Sequence, residues 1–240
     1  MKRLMSVLTI AVVCNTLSYS AFAQNPPFAG TVKFETKYQG DIDPQKHVPF
    51  EITYTIFENK IKLTMPYRGI NIYVIQDGDL LTQAGLADIP QGRVGYADNM
   101  EEVEDELLMK KFTYAERGDT KTICGYVCKG YDVTCIVTNE DAEEDEEETT
   151  EIKWIVYTTK EIGKDNNINA LDFPKLSGFP LYRETEKDGV KTITIAKEVK
   201  KSKVKSTDFL IPSDYKMTKD QQKAGTKAFI RNIINGTATE

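Results

Sequence analysis

Cysteines, a single histidine and many carboxylates are the groups in this 240-residue sequence that could do chemistry. Cys124, Cys128 and Cys135 lie close together in the chain. Zinc needs about four ligands, and the only histidine, His47, is far away in sequence. A structural disulfide or buried thiols is the better reading. If Lys129-Gly130 is a two-residue hairpin loop, Cys124 faces Cys135 and the pair can close. If 125–138 is one continuous strand, that pairing fails. Nucleophilic catalysis needs a base beside the nucleophile. His47 sits in the polar, proline-flanked stretch Asp43-Pro44-Gln45-Lys46-His47-Val48-Pro49, which reads as a surface loop. A carboxylate-dependent hydrolase needs only two acids, but the sequence singles out no pair. Glu140–Glu148 is almost wholly acidic, yet it lacks the glycine and the ligand spacing of a calcium loop. Like-charge repulsion makes it a surface loop between strands. No metal and no cofactor is expected.

The start of the chain sets the compartment. Lys2 and Arg3 precede an apolar stretch from Leu4 to Leu17, and Ala21-Phe22-Ala23 supplies a small-x-small cut site. That pattern predicts a signal peptide over 1–23 and a mature chain from Gln24. Val13 before Cys14 does not suit lipoprotein processing, which wants a small residue there. Loss of Lys2 and Arg3 takes the net charge from −6 to −8, which disfavours nucleic acid and anionic membranes as electrostatic partners. After cleavage no apolar run reaches the ~18 residues of a membrane span. The expectation is an exported chain: periplasmic, outer-membrane associated or secreted.

The elements that must position any site read as strands. Gly30–Tyr38 alternates strictly, with Val32, Phe34, Thr36 and Tyr38 on one face. Phe50–Glu58 does the same through Phe50, Ile52, Tyr54 and Ile56. Further strands are expected at Lys60–Met65, Ile70–Gln76, Leu80–Gln83, Lys111–Glu116, Gly125–Thr138, Glu151–Thr159, Leu181–Glu186 and Val190–Lys197. Asn59, Asp77-Gly78 and Asp188-Gly189 separate them. Two helices are predicted, over Asp98–Lys110 and from Thr218 to about Gly236, the second with Ala228, Phe229, Ile233 and Ile234 on its apolar side. A lysine-rich stretch, Lys197 to Lys205, could attract the acidic run. The fold class is mainly β: an incomplete antiparallel β-barrel (half-barrel) with helices at its open face, in one domain over 24–240.

Several stretches resemble secreted Bacteroidota proteins that carry a domain of unknown function. They are Phe28-Ala-Gly-Thr-Val-Lys-Phe34, Asn59-Lys-Ile-Lys-Leu63, Thr122–Tyr131, Lys153–Thr159 and Phe209–Tyr215. Phe173–Tyr182 is similar to the signature of the related GLPGLI group, with departures at several positions. Such families look related in fold to the outer-membrane lipoprotein carrier. The resemblance implies an apolar cavity able to hold acyl chains, and no known activity.

A single bent sheet has an inner face that side chains, a helix or a ligand must fill. Phe34, Tyr54, Ile56, Ile72, Val74 and Trp154 are the expected lining of an apolar ligand groove. The functional expectation is a non-enzymatic envelope or secreted protein that binds lipid or another apolar molecule. The alternatives are an interaction module that docks a protein partner through 140–148, and the carboxylate hydrolase.

Overall fold

The computed structural model describes residues 27–43, 50–99, 110–138, 149–162, 173, 176–218 and 225–235. The signal-peptide, His47 and acidic-run expectations lie outside these residues, as does the body of the first predicted helix, 100–109.

The strands are β1 (Ala29–Gly40), β2 (Phe50–Phe57), β3 (Lys60–Tyr67), β4 (Ile70–Asp77), β5 (Thr82–Ile89), β6 (Gly92–Asn99), β7 (Lys110–Ile123), β8 (Tyr126–Thr138), β9 (Thr149–Thr159), β10 (Phe179–Lys187), β11 (Val190–Lys201) and β12 (Lys216–Met217). Among the described residues one α-helix, α1, covers Gly225–Asn235. The strands form one open sheet in the order β12-β6-β5-β4-β3-β2-β1-β11-β10-β9-β8-β7. All pairs are antiparallel except the short β12–β6 contact. This is the expected mainly-β half-barrel.

The sheet is curled. Phe179 on β10 and Tyr54 on β2 stand three strand spacings apart, roughly 14 Å on a flat sheet. Their rings nevertheless meet at 5.8 Å, edge to face. Phe34 on β1 joins them, 5.3 Å from Tyr54. These rings converge because their face is the inside of the curl. With Val32, Ile52 and Ile56 they form the central core.

Each wing of the concave face has its own cover. On one, α1 lays Phe229 and Ile233 on Ile72, Ala87 and Tyr96. Gly85 makes this approach possible: a Cβ there would stand 2.9 Å from Thr226 and 3.1 Å from Phe229. On the other wing, Phe173 and Leu176 cover Val133, Val156 and Trp154. The convex face over β4 and β5 is covered by the segment after β11, whose Phe209 and Tyr215 bury Ile75, Ala84 and Leu86.

This double cover explains why the sequence pattern stopped β5 at Gln83. Gln83 through Ala87 are all buried, so Ala84-Gly85-Leu86-Ala87 shows no alternation of apolar and polar residues. Asp98 and Asn99, the residues that could cap the first predicted helix, end β6, a strand the pattern did not reveal. Lys110, its predicted end, begins β7. Asp98 still serves a helix, but a distant one. Its carboxylate accepts from the Thr226 N–H at 2.8 Å and the Thr226 hydroxyl at 2.9 Å, at the positive end of α1. Thr218, the predicted start of that helix, instead donates its N–H to the Gly95 carbonyl. Phe229 and Ile233 are buried as expected.

Asp98→Ala should therefore loosen α1. Loss of two charge-assisted bonds predicts a stability decrease of about 1–3 kcal/mol in urea unfolding, with the β-sheet circular dichroism retained. An unchanged midpoint would show that Asp98 does not hold the helix.

Candidate functional site

Strand register puts all six expected groove residues on one face. Phe34 pairs with Ile52, so Tyr54 and Ile56, two and four residues further along β2, share its side. Tyr54 pairs with Leu63 and Leu63 with Val74, so that side continues across β3 to β4. In the other direction Thr36 pairs with Thr194, Thr194 with Arg183 and Arg183 with Val156, which carries the face to Trp154.

They do not line one hollow. Phe34 and Ile56 are buried in the central core and Ile72 beneath α1. Trp154 packs edge to face on Phe173 at 5.7 Å in the far wing. Tyr54 and Val74 remain half-exposed between the central core and α1. There they join Leu63, Met65 and Tyr67, also half-exposed, in an apolar strip over β2–β4. The strip leads toward the Gly40 end of β1. At that end lies a cleft of about 460 Å³, lined by Thr36, Phe50, Pro66, Tyr67 and Arg68 together with Glu35, Lys37 and Glu51. Its volume falls within the ~300–1,000 Å³ of small-molecule sites. Leu63, Met65 and Tyr67 were missed as site residues although they alternate with Lys62, Thr64 and Pro66. That alternation was the available signal.

The cleft also holds two carboxylates, because Glu35 and Glu51 are direct cross-strand partners. A hydrolase built on them would need one acid kept protonated near neutral pH. Glu35 is driven the other way. The Lys197 ammonium at 2.8 Å and the Lys37 ammonium at 2.6 Å hold its carboxyl below the usual glutamate range. It is a fixed anion, unsuited to give up a proton to a leaving group. Among the described residues, no group of three or more histidine, cysteine or acidic side chains could hold a metal ion.

The Cys124–Cys135 pairing is corrected. The β7–β8 turn is Cys124-Gly125, with φ of 50° and 85°, the left-handed pair that a tight hairpin uses. β8 is one continuous strand, and Cys135 stands opposite Phe112. All three thiols are free. Cys124 is exposed in the turn and donates to the Ala196 carbonyl on β11 at 3.3 Å. Burial pushes the Cys128 thiol up to about 11.

No family model matches this chain, and no curated protein matches it. Among solved structures it is similar to the Mycobacterium tuberculosis lipoprotein LppX at 10% identity and a TM-score of 0.35, covering 74% of this chain and 89% of that one. It is also similar to LprF from Mycobacterium bovis at 7% identity and a TM-score of 0.30, covering 74% of this chain and 88% of that one. Scores this low carry nothing about ligand or activity.

In a folded chain beginning at Gln24, a maleimide should label one thiol, Cys124. Cys128 and Cys135 should react only after unfolding, because both are buried and the thiolate is the reactive form. Intact-mass analysis counts the adducts. Two or three adducts on the folded protein, or a disulfide, would contradict this arrangement.

Proposed function

We propose that this is an exported, non-enzymatic envelope or secreted protein whose half-barrel binds lipid or another apolar ligand along the concave strip over β2–β4. The observation that carries this reading is the half-exposed row Tyr54–Leu63–Val74, with Met65 and Tyr67 beside it. Apolar side chains on the inside of a curled sheet are covered elsewhere by α1 and by Phe173. Here an elongated apolar molecule would supply the cover. Burying surface in this way stabilises a complex by roughly 25 cal/mol per Å² before the costs of association. The signal-like start of the chain, Lys2 to Ala23, supports export.

The test is titration with N-phenyl-1-naphthylamine, a neutral apolar dye, followed by displacement with a long-chain fatty acid. Saturable binding and displacement are expected. Val74→Asn, which makes the strip polar, and Val74→Trp, which fills it, should each weaken binding about tenfold or more, roughly 1.4 kcal/mol, while the melting temperature stays near the parent value. No saturable binding, or binding that both variants leave intact, would remove this reading.

A further inference from the structure

Strand direction places the attachment points of the acidic stretch and a run of four lysines at opposite ends of the sheet. β8 leaves off at Thr138 and β9 resumes at Thr149, so both attachment points of the acidic stretch lie at one end of the sheet. β11 runs the other way and delivers Lys200 and Lys201 to the opposite end, where Lys203 and Lys205 follow. The strands between are long, and roughly 3.3 Å per residue separates their ends by ~35 Å. That is several Debye lengths at physiological salt, where the screening distance is about 8 Å. The lysines and the two attachment points, Thr138 and Thr149, therefore stand well beyond screening range of each other.

These four lysines differ from their neighbours. Lys33 is paired with Glu198 at 3.2 Å, and Lys197 with Glu35. Lys200, Lys201, Lys203 and Lys205 are exposed and have no carboxylate partner among the described residues. They are also held in place. The Ser202 N–H donates to the Ala29 carbonyl at 3.1 Å, and Val204 packs into the convex-face core beside Phe209. With Val204 turned inward, Lys203 and Lys205 on either side of it stand exposed. The Lys205 N–H is itself fixed by the Asp208 carboxylate at 2.9 Å, at the start of the 3-10 turn Ser206–Phe209.

The same end carries bare hydrophobic side chains. Leu80 in the β4–β5 turn is 70% exposed, its neighbour Leu81 39%, and Val127 beside the β7–β8 turn 60%. Leu81 holds a left-handed backbone, φ 51°, to make its turn. Exposed lysines on an anchored backbone together with apolar turn tips match the chemistry of a bilayer surface, where lysines meet lipid phosphates and leucines enter the acyl boundary.

We propose that this end of the half-barrel, through Lys200, Lys201, Lys203 and Lys205 with Leu80 and Leu81, docks on an anionic lipid bilayer. The net negative charge of the whole chain does not oppose this. The acidic stretch joins the sheet at the far end, through Thr138 and Thr149, and screening over about 8 Å makes the contact local to the four lysines. The interaction is independent of whatever occupies the concave strip, and the two are tested separately.

Sedimentation of the full chain with large vesicles is the experiment. One set is phosphatidylcholine alone, and the other contains roughly a third phosphatidylglycerol. Binding is expected only to the anionic vesicles and should fall as salt rises. A lysine near such a surface contributes about fivefold in affinity. The quadruple change Lys200→Gln, Lys201→Gln, Lys203→Gln, Lys205→Gln should then reduce binding by about a hundredfold or more. Leu80→Ser with Leu81→Ser should weaken the part that survives high salt. Lys111→Gln with Lys187→Gln, at the opposite end, should have no effect. All three variants should melt with the parent protein, since none of these side chains is buried. Equal binding to both vesicle types, no binding to anionic vesicles, or binding untouched by the quadruple change would overturn the proposal. So would retention on heparin without vesicle binding, which would point to a soluble polyanion.

Discussion

The connection between β6 and β7 constrains everything else. These strands lie near opposite edges of the sheet, ten strand spacings apart, or about 48 Å if the sheet were flat. Only residues 100–109 separate Asn99 from Lys110, and a fully extended chain of that length spans at most roughly 40 Å. The two attachment points also lie at opposite ends of their strands, which lengthens the path. A flat sheet cannot be joined this way. The sheet must curl, and curling gives it an inside.

An inside must be filled, and the filling is uneven. The aromatic trio Phe34, Tyr54 and Phe179 occupies the middle. α1 and the Phe173–Leu176 segment occupy the wings. Two aspartates fasten the covers over β4–β6. Asp98 takes both polar groups of Thr226 on the concave side. On the convex side Asp88 accepts from the Tyr215 hydroxyl at 2.7 Å and the Tyr73 hydroxyl at 3.2 Å and lies 3.2 Å from Arg93, which also binds Asp214. Burial, with Asp88 adding to it, raises the Tyr215 phenol well above its ordinary range, so it stays a donor at any physiological pH. Fixed covers on both sides of β5 define where the cover stops, and the strip over β2–β4 begins there.

Much of this was legible in the residues. Alternation in Gly30–Tyr38 and Phe50–Glu58 gave the correct face for Phe34, Tyr54 and Ile56, because each strand has one polar side. Asp188-Gly189 marked the β10–β11 turn, where both residues have positive φ. The pattern failed where both faces are covered, in Ala84–Ala87, and where glycines replace side chains, as at Gly95 in β6, which Leu86 and Met217 approach closely. Asp98 carried a capping signal, but its helix lies more than a hundred residues away in sequence, a contact no local window contains. The split of the six groove residues among separate cores depends on which distant segment covers each one. Periodicity reports a face and says nothing of its cover.

The curl itself is open to direct measurement. Spin labels can be placed at Ala97 on β6 and Ala115 on β7, both exposed, in a chain with Cys124 replaced by serine. Pulsed dipolar spectroscopy then reads the distance between the two edges. A half-barrel predicts a narrow distribution well below the ~48 Å that separates the two edges of a flat sheet. A distribution centred near 48 Å, the width of a flat sheet, would contradict it and leave no inside for a ligand to fill.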